Sequence, residues 1–341
     1  HIIFNRISLL VMATVLAPLA AHSGGYKISD GDKFLEVGAR IQLQYKVDDP
    51  AVGNRTDDIF FRRLRVRVAG SMHKDWKGQV EWDMGRASGD NEISVKETWM
   101  MYSGWNNLTL RIGNSSFPFS REFMTPYTKQ QLVERSFVGD LNYGTPDKNT
   151  GFHLRGNNSD KKLTYRASAS IGSVRADDTR LRFNTPVNDS TDHSDGYMLG
   201  GRIDYHPLGF VKFSQGDFTG KTRVTLGAAA YSWSNDGDVT ISAPVASQEV
   251  DNITAVEVSG AFRSHGFSID VQYNSFDSEL VDATHTGGLY RNGKTTLTNA
   301  AIEGGYMFAN KIELVAGYQT QDADNYATSW NRTSAGVNWF I

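Results

Sequence analysis

Residues 60–70 read FFRRLRVRVAG, and the reading of this stretch decides the fold. It places four arginines within six positions of a segment whose aromatic and β-branched residues otherwise mark a strand. Set on a pleat, Arg63, Arg65 and Arg67 share one face, and Leu64, Val66 and Val68 share the other. A strand with one cationic and one oily face suits nucleic acid, a solvated edge, or the boundary between lipid and a water-filled lumen. The formal net charge of −3 removes the basic footprint of a nucleic-acid binder. The other two environments are separated by the rest of the chain.

Outward from this stretch the same period recurs. In 35–45, Leu35, Val37, Ala39, Ile41, Leu43 and Tyr45 take one face, while Glu36, Gly38, Arg40, Gln42 and Gln44 take the other. Segments 163–171, 197–205 and 267–273 alternate in the same way, with charge in mid-strand on the polar side, where a packed core would not accept it. Segments of about ten residues match tilted membrane-spanning strands, and aromatics such as Trp76, Trp82, Trp99, Tyr165, Tyr205, Trp330 and Trp339 sit as interfacial girdles do. The expected fold is all-β: a transmembrane antiparallel β-barrel with a hydrated interior. Fourteen candidate strands can be counted, at 33–46, 58–70, 77–86, 93–103, 107–113, 149–157, 161–172, 195–206, 221–234, 254–264, 266–276, 298–309, 311–321 and 330–341.

The ends and connectors complete the organisation. Arg6 followed by ISLLVMATVLAPLAA gives residues 1–21 the form of a secretory signal peptide, too short to span a membrane. Residues 22–32 are expected to be a short N-terminal lead, and 33–341 the outer-membrane barrel. Connectors 175–194 and 277–297 have the length of external loops. Residues 114–148 differ: FPFSREFMTPYTKQQLVERSF is too apolar for a solvated loop, so this connector is expected to fold inward as a constriction loop.

On the arginine strand, a lipid-facing guanidinium at mid-bilayer costs about 2–4 kcal/mol, which turns Arg63, Arg65 and Arg67 to the lumen. Guanidinium forks match phosphate and carboxylate oxygens. The alternative is that some of these arginines pair with acids on the next strand, such as Glu81 and Asp83. Arg62 has the parity of Leu64, so it lies at the rim or a β-bulge turns it inward.

Five pieces beside the arginine strand, in order FLEVGARIQLQY, KDWKGQVEWD, GNSSFPFS, KQQLVERS and NTGFHLRG, resemble the phosphate-selective porin O/P family over about 34–156. The resemblance implies a trimeric, sixteen-stranded outer-membrane channel with an anion-binding constriction. It places Arg62 and Arg63 at the paired-arginine position, Lys129 at the constriction-loop lysine and Arg40 at a basic lumen position. Arg65 and Lys96 stand where phosphate-specific members carry Tyr and Asp, which makes this site more basic. Arg175, Arg180 and Arg182 are the nearest candidates for an external arginine ladder. SAGVNWFI, residues 334–341, resembles a segment that precedes the family's last two strands, so the chain is expected to stop about two strands short. The alternative is a fourteen-stranded barrel closing on 330–341.

The candidate pore set is therefore Arg40, Arg62, Arg63, Arg65, Arg67, Lys96, Arg111 and Lys129. The expected function is passive diffusion of small anions, phosphate or related oxyanions, by a homotrimer seated in outer-membrane lipid. No cofactor, metal, nucleic acid or catalytic activity is expected. GLYRNGKT, residues 288–295, fits the phosphate-binding loop pattern, but strand-like sequence follows it where a helix is needed. Asp177 with Asp178, and Asp236 with Asp238, read as solvated loop tips. The rival function is a structural or partner-docking barrel with a plugged lumen.

Overall fold

The computed structural model describes residues 22–85, 93–177, 179–185, 187, 195–237 and 248–340. The signal-peptide reading of 1–21 lies outside them, as do Asp178 and Asp238. Seventeen strands occur among the described residues, and the chain divides into two compact units, 1–98 and 99–341.

The first unit is an antiparallel meander of β1 (His22–Asp30), β2 (Lys33–Asp48), β3 (Thr56–His73), β4 (Trp76–Asp83) and β5 (Ser94–Val95). The N-terminal lead expected at 22–32 is in fact β1, zipped onto β2 from His22 opposite Ile41 to Asp30 opposite Lys33. Backbone pairing on a ready strand edge overrides the weak propensity of HSGGYKISD. On β2 the apolar Leu35, Val37 and Ile41 are exposed while Gly38 is buried, as a lipid-facing strand requires.

The second unit comprises β6 (Thr98–Trp105), β7 (Leu108–Ser116), β8 (Lys148–Asn157), β9 (Leu163–Ala176), β10 (Leu181–Asn184), β11 (Asp195–Tyr205), β12 (Arg223–Asn235), β13 (Val250–Ser264), β14 (Phe267–Leu280), β15 (Lys294–Phe308), β16 (Ile312–Asp322) and β17 (Trp330–Trp339). The segment 93–103, read as one strand, is two: β5 and β6. The connector 175–194 is not all loop, because β10 pairs back on the end of β9. Strand β14 shows the inside-out logic most clearly. Asp270, Gln272 and Asn274 are buried, while Ile269, Val271 and Tyr273 between them are 40%, 47% and 44% exposed. A soluble sheet would bury the second set.

Connectors at one end of the second unit are short, apart from 206–222. His265 and Gly266, both at positive φ (49° and 91°), join β13 to β14, and Ala309 and Asn310 (49° and 56°) open the turn into β16. Two consecutive left-handed residues match the right-handed twist of a hairpin. At the other end the connectors are long. There the interior is not wet: Phe119, Phe183, Tyr231, Trp233, Phe276 and Tyr290 pack into a dry core. This corrects the expectation of a hydrated interior throughout. The core forms because the connector after β7 supplies Phe117 and Phe119 to the inner side of the strands, where Tyr231 meets Phe119 edge-on at 4.9 Å. The phosphate-loop pattern lies in this region too. Leu289 and Tyr290 are buried, Lys294 opens β15 and pairs with Glu279 at 2.7 Å, and no helix follows.

Candidate functional site

The polar face of β2, β3 and β4 carries the arginines of the first unit. Arg40 stands opposite Arg65, and Gln42 opposite Arg63. The register then slips: Leu43 pairs with Phe61, which leaves Arg62 as the extra residue of a β-bulge. Of the two positions the sequence allowed for Arg62, the bulge is the one found. Gly85 lies beneath it, where an added Cβ would come within 2.7 Å of the Arg63 Cα and 2.8 Å of the Leu64 nitrogen. Only a glycine lets β4's end approach β3 this closely.

The stripe arginines are engaged to different degrees. Arg65 donates from Nε to Asp83 at 2.7 Å and from Nη1 to Glu81 at 3.2 Å. Asp83 is fully buried and also accepts from the backbone N–H groups of Leu64 at 3.2 Å and Gly85 at 3.0 Å. Arg67 pairs with Glu36. Arg63, buried, donates to Gln42 at 2.6 Å. Pairing with acids, the alternative left open by the sequence, thus takes at least two of the three stripe arginines, Arg65 and Arg67. Lys96 follows β5, its N–H donating to the Glu81 carbonyl at 2.8 Å. Arg40 differs: half-buried, it makes no side-chain hydrogen bond or ion pair among the described residues, and its Nε is buried without an acceptor.

In the second unit the inward connector runs from Phe117 to Asp147, three residues inside the expected 114–148 at its start and one at its end. It is fastened along the polar faces of seven strands, β11 to β17, with Gln319 on β16 accepting from the Phe137 N–H at 2.8 Å. Ser120 caps α1 (Arg121–Met124), a single turn whose first N–H donates to Glu257 at 3.0 Å. Arg121 Nε donates to Asp270 at 3.0 Å, and the Glu122 N–H to Gln272 at 2.8 Å. Arg202 donates to the Phe119 carbonyl at 2.7 Å, Tyr231 to that of Gly144 at 2.7 Å, Asn299 to that of Tyr143 at 3.0 Å, and Arg332 to that of Arg135 at 2.6 Å. Polar strand faces, not apolar packing, are what hold most of this segment.

Glu122 is buried within the connector and accepts from the Ser136 N–H at 2.9 Å. Burial, and then the nearby Glu303 carboxylate, hold its carboxyl well above the ordinary 4.5. Lys129 ends a 3₁₀ turn (Tyr127–Lys129); its side chain is exposed and makes no ion pair among the described residues. Arg111 on β7 lies over the Trp99 ring at 4.0 Å and donates to Ser115 at 3.3 Å.

The structure therefore groups Arg40, Arg62, Arg63, Arg65, Arg67 and Lys96 in the first unit, with Arg111 and Lys129 on separate elements of the second. Sequence reading missed the basic groups of the second unit's wall, Arg155, Arg166, Arg202 and Arg263. The alternation marks their faces, but only the strand register shows which of them adjoin.

Strands that expose aliphatics and bury carboxamides, arranged around an inward connector, are the construction of an outer-membrane porin. The comparisons agree. The model of the family "Phosphate-selective porin O and P" matches residues 35–341. Porin O of Pseudomonas aeruginosa is 24% identical over 369 residues, covering 93% of this chain and 82% of its own. Among solved structures, OmpF of Salmonella typhi in complex with daunomycin is similar at a TM-score of 0.58 and 14% identity, covering 93% of this chain and 88% of its own. A porin refined at 1.8 Å resolution is similar at 0.51 and 12% identity, covering 90% and 89%. The chain belongs to the phosphate-selective porin O and P family. It is an all-β porin of the Gram-negative outer membrane, and its fold is that of channel proteins.

Proposed function

We propose that this porin passes small anions, phosphate or related oxyanions, by passive diffusion along an arginine-lined path. The observation that carries the reading is Arg40. Among the described residues its guanidinium makes no ion pair, although Arg65, directly opposite, makes two. Neutralised neighbours leave Arg40 as a cation able to exchange water for a passing oxyanion without first breaking an ion pair. Lys129, exposed on the inward connector, is a second such cation. Conduction needs many weak contacts in preference to one tight cage, and partly neutralised arginines are suited to that. Within this reading the Arg65 and Arg67 pairs set geometry, and Arg62, Arg63, Lys96 and Arg111 add to the positive potential. The working assembly is a homotrimer, checked by cross-linking and native mass in detergent.

The test is the anion-to-cation permeability ratio in planar bilayers. Removing one charge from the path, as in Arg40→Gln, should lower that ratio about fivefold, from about 1 kcal/mol of Coulomb energy in a watery site. An unchanged ratio would remove Arg40 from the path. The docking-barrel reading is supported by the dry core at the long-loop end of the second unit. Purified porin that inserts into bilayers yet never conducts would favour it.

A further inference from the structure

Three strands of the second unit bring scattered arginines into one row. Arg155 on β8 stands opposite Arg166 on β9, and Arg166 opposite Arg202 on β11. Arg111 adjoins them, since it and Arg155 both donate to Ser115 Oγ, at 3.3 and 3.0 Å. Like charges directly across a strand pair repel. Arg202 resolves its share locally, donating to Asp204 at 2.7 Å, Glu257 at 2.8 Å and Ser259 at 2.6 Å. Arg166 does not. Among the described residues its guanidinium makes no hydrogen bond and no ion pair, and its one specific contact is the Phe213 ring, 4.7 Å away. The charges acting on it most strongly are those of Arg155, Asp204, Arg202 and Arg111, and Asp204 is already held by Arg202.

Phe213 is not there by accident of a loose loop. Residues 206–222 leave β11 and turn back inward. Ser214 accepts through its carbonyl from Arg263 at 2.7 Å. Gln215 donates its N–H to the Lys129 carbonyl at 2.8 Å and its side chain to Glu303 at 2.8 Å, and it accepts from the Gln131 N–H at 2.7 Å. The ring between these anchors also faces Arg121 and Arg202, at 5.5 and 5.6 Å. A guanidinium lying over a ring uses its face for the contact, which leaves its in-plane N–H fork for a ligand.

The row also has a side. Arg166 is three residues from the start of β9, Arg155 two from the end of β8, and Arg202 three from the end of β11. All lie at the end served by the short connectors 158–162, 265–266 and 309–311, where the one long connector, 206–222, turns back inward. In outer-membrane barrels short turns are periplasmic and long loops extracellular.

We propose that Arg166, stacked on Phe213 and flanked by Arg155, forms an oxyanion-binding subsite at the periplasmic end of the second unit's lumen wall. It takes phosphate or a carboxylate in the plane of the guanidinium, and it serves anions entering or leaving from that side. The inference rests on the anion-porin reading and adds sidedness to it.

The test uses the full-length porin in planar bilayers, its orientation fixed by proteolysis of the long loops from one chamber. Chloride current is measured while inorganic phosphate is added to one side at a time. Arg166→Gln should raise the half-blocking concentration from the short-turn side about fivefold, as for a charge-assisted hydrogen bond in a hydrated site, with little change from the other. Arg166→Lys, which keeps the charge and loses the fork, should fall between. Phe213→Leu should shift it in the same direction as Arg166→Gln, and it carries the test should Arg166→Gln fail to insert. Arg175→Gln, at the far end of β9, should leave the short-turn side unchanged. Anion selectivity retained, with short-turn-side block equal in wild type, Arg166→Gln and Phe213→Leu, overturns the subsite and leaves the porin reading standing. A wild-type channel that phosphate does not block from the short-turn side overturns the subsite as well. Cation selectivity of the wild type fails the anion-porin reading first.

Discussion

Asp83 and Arg40 show how two residues in one row of arginines and acids come to do different work. Asp83 is fully buried, and Arg65 supplies its counterion at 2.7 Å. Removing one partner of a buried pair strands the other charge, so Arg65→Gln should destabilise the porin by about 3–5 kcal/mol, read as a lower urea midpoint in detergent. Arg40→Gln breaks no bond and should leave that midpoint in place while changing selectivity. Equal stability losses in both variants would refute this division of labour. Gly85→Ala drives a methyl into the backbone of Arg63 and Leu64. It should disturb the bulge and lower the yield of folded porin, whereas an alanine at Gly31, where nothing lies within 4 Å, meets only the strain of its φ of 57°. Parity alone made Arg63, Arg65 and Arg67 legible as one face. It could not choose between rim and bulge for Arg62, because a bulge is a count of residues across two strands and β2 must be aligned to see it.

At the level of elements, the inward connector was legible from composition, because FPFSREFM cannot remain in water as a loop. Its fastenings were not legible, since they come from strand residues up to 207 positions away. Strands β1 and β10 were missed for a related reason. The first has two glycines and little alternation, and the second has four residues, so each exists through pairing with an established edge. Glu122 makes the connector's hold depend on pH. Its carboxyl is raised in the folded state, so the proton is bound more tightly there than in the unfolded chain. That contribution is fully present below the ordinary 4.5 and is lost as pH rises through the raised value. Protease cleavage within 117–147 should therefore increase with pH in the wild type and be flat in Glu122→Gln. A profile that is identical in the two proteins would contradict the assignment. Gly144 is a second weak point: its φ is 88°, its carbonyl accepts from Tyr231, and an added Cβ would sit 2.8 Å from the Phe276 ring. Gly144→Ala should loosen the connector at every pH.

Across the whole molecule, one period of two explains both what was foreseen and what was not. It fixed the all-β class and the outward aliphatic faces, because lipid demands them along every strand. It also suggested a wet interior, and that failed where loops and connector bring their own aromatics to the inner face, as Phe119 does against Tyr231 and Phe276. Inner polarity is a property of strands, and the chain between strands can fill the space it leaves. The function therefore rests on cations that remain open, and Arg40, Lys129 and Arg166 make no ion pair among the described residues. The most direct test is the reversal potential of the wild-type porin in a potassium chloride gradient across a planar bilayer. A potential of the sign set by chloride crossing faster than potassium is the predicted result. The opposite sign, or a fully inserted porin with no current, would contradict an anion channel.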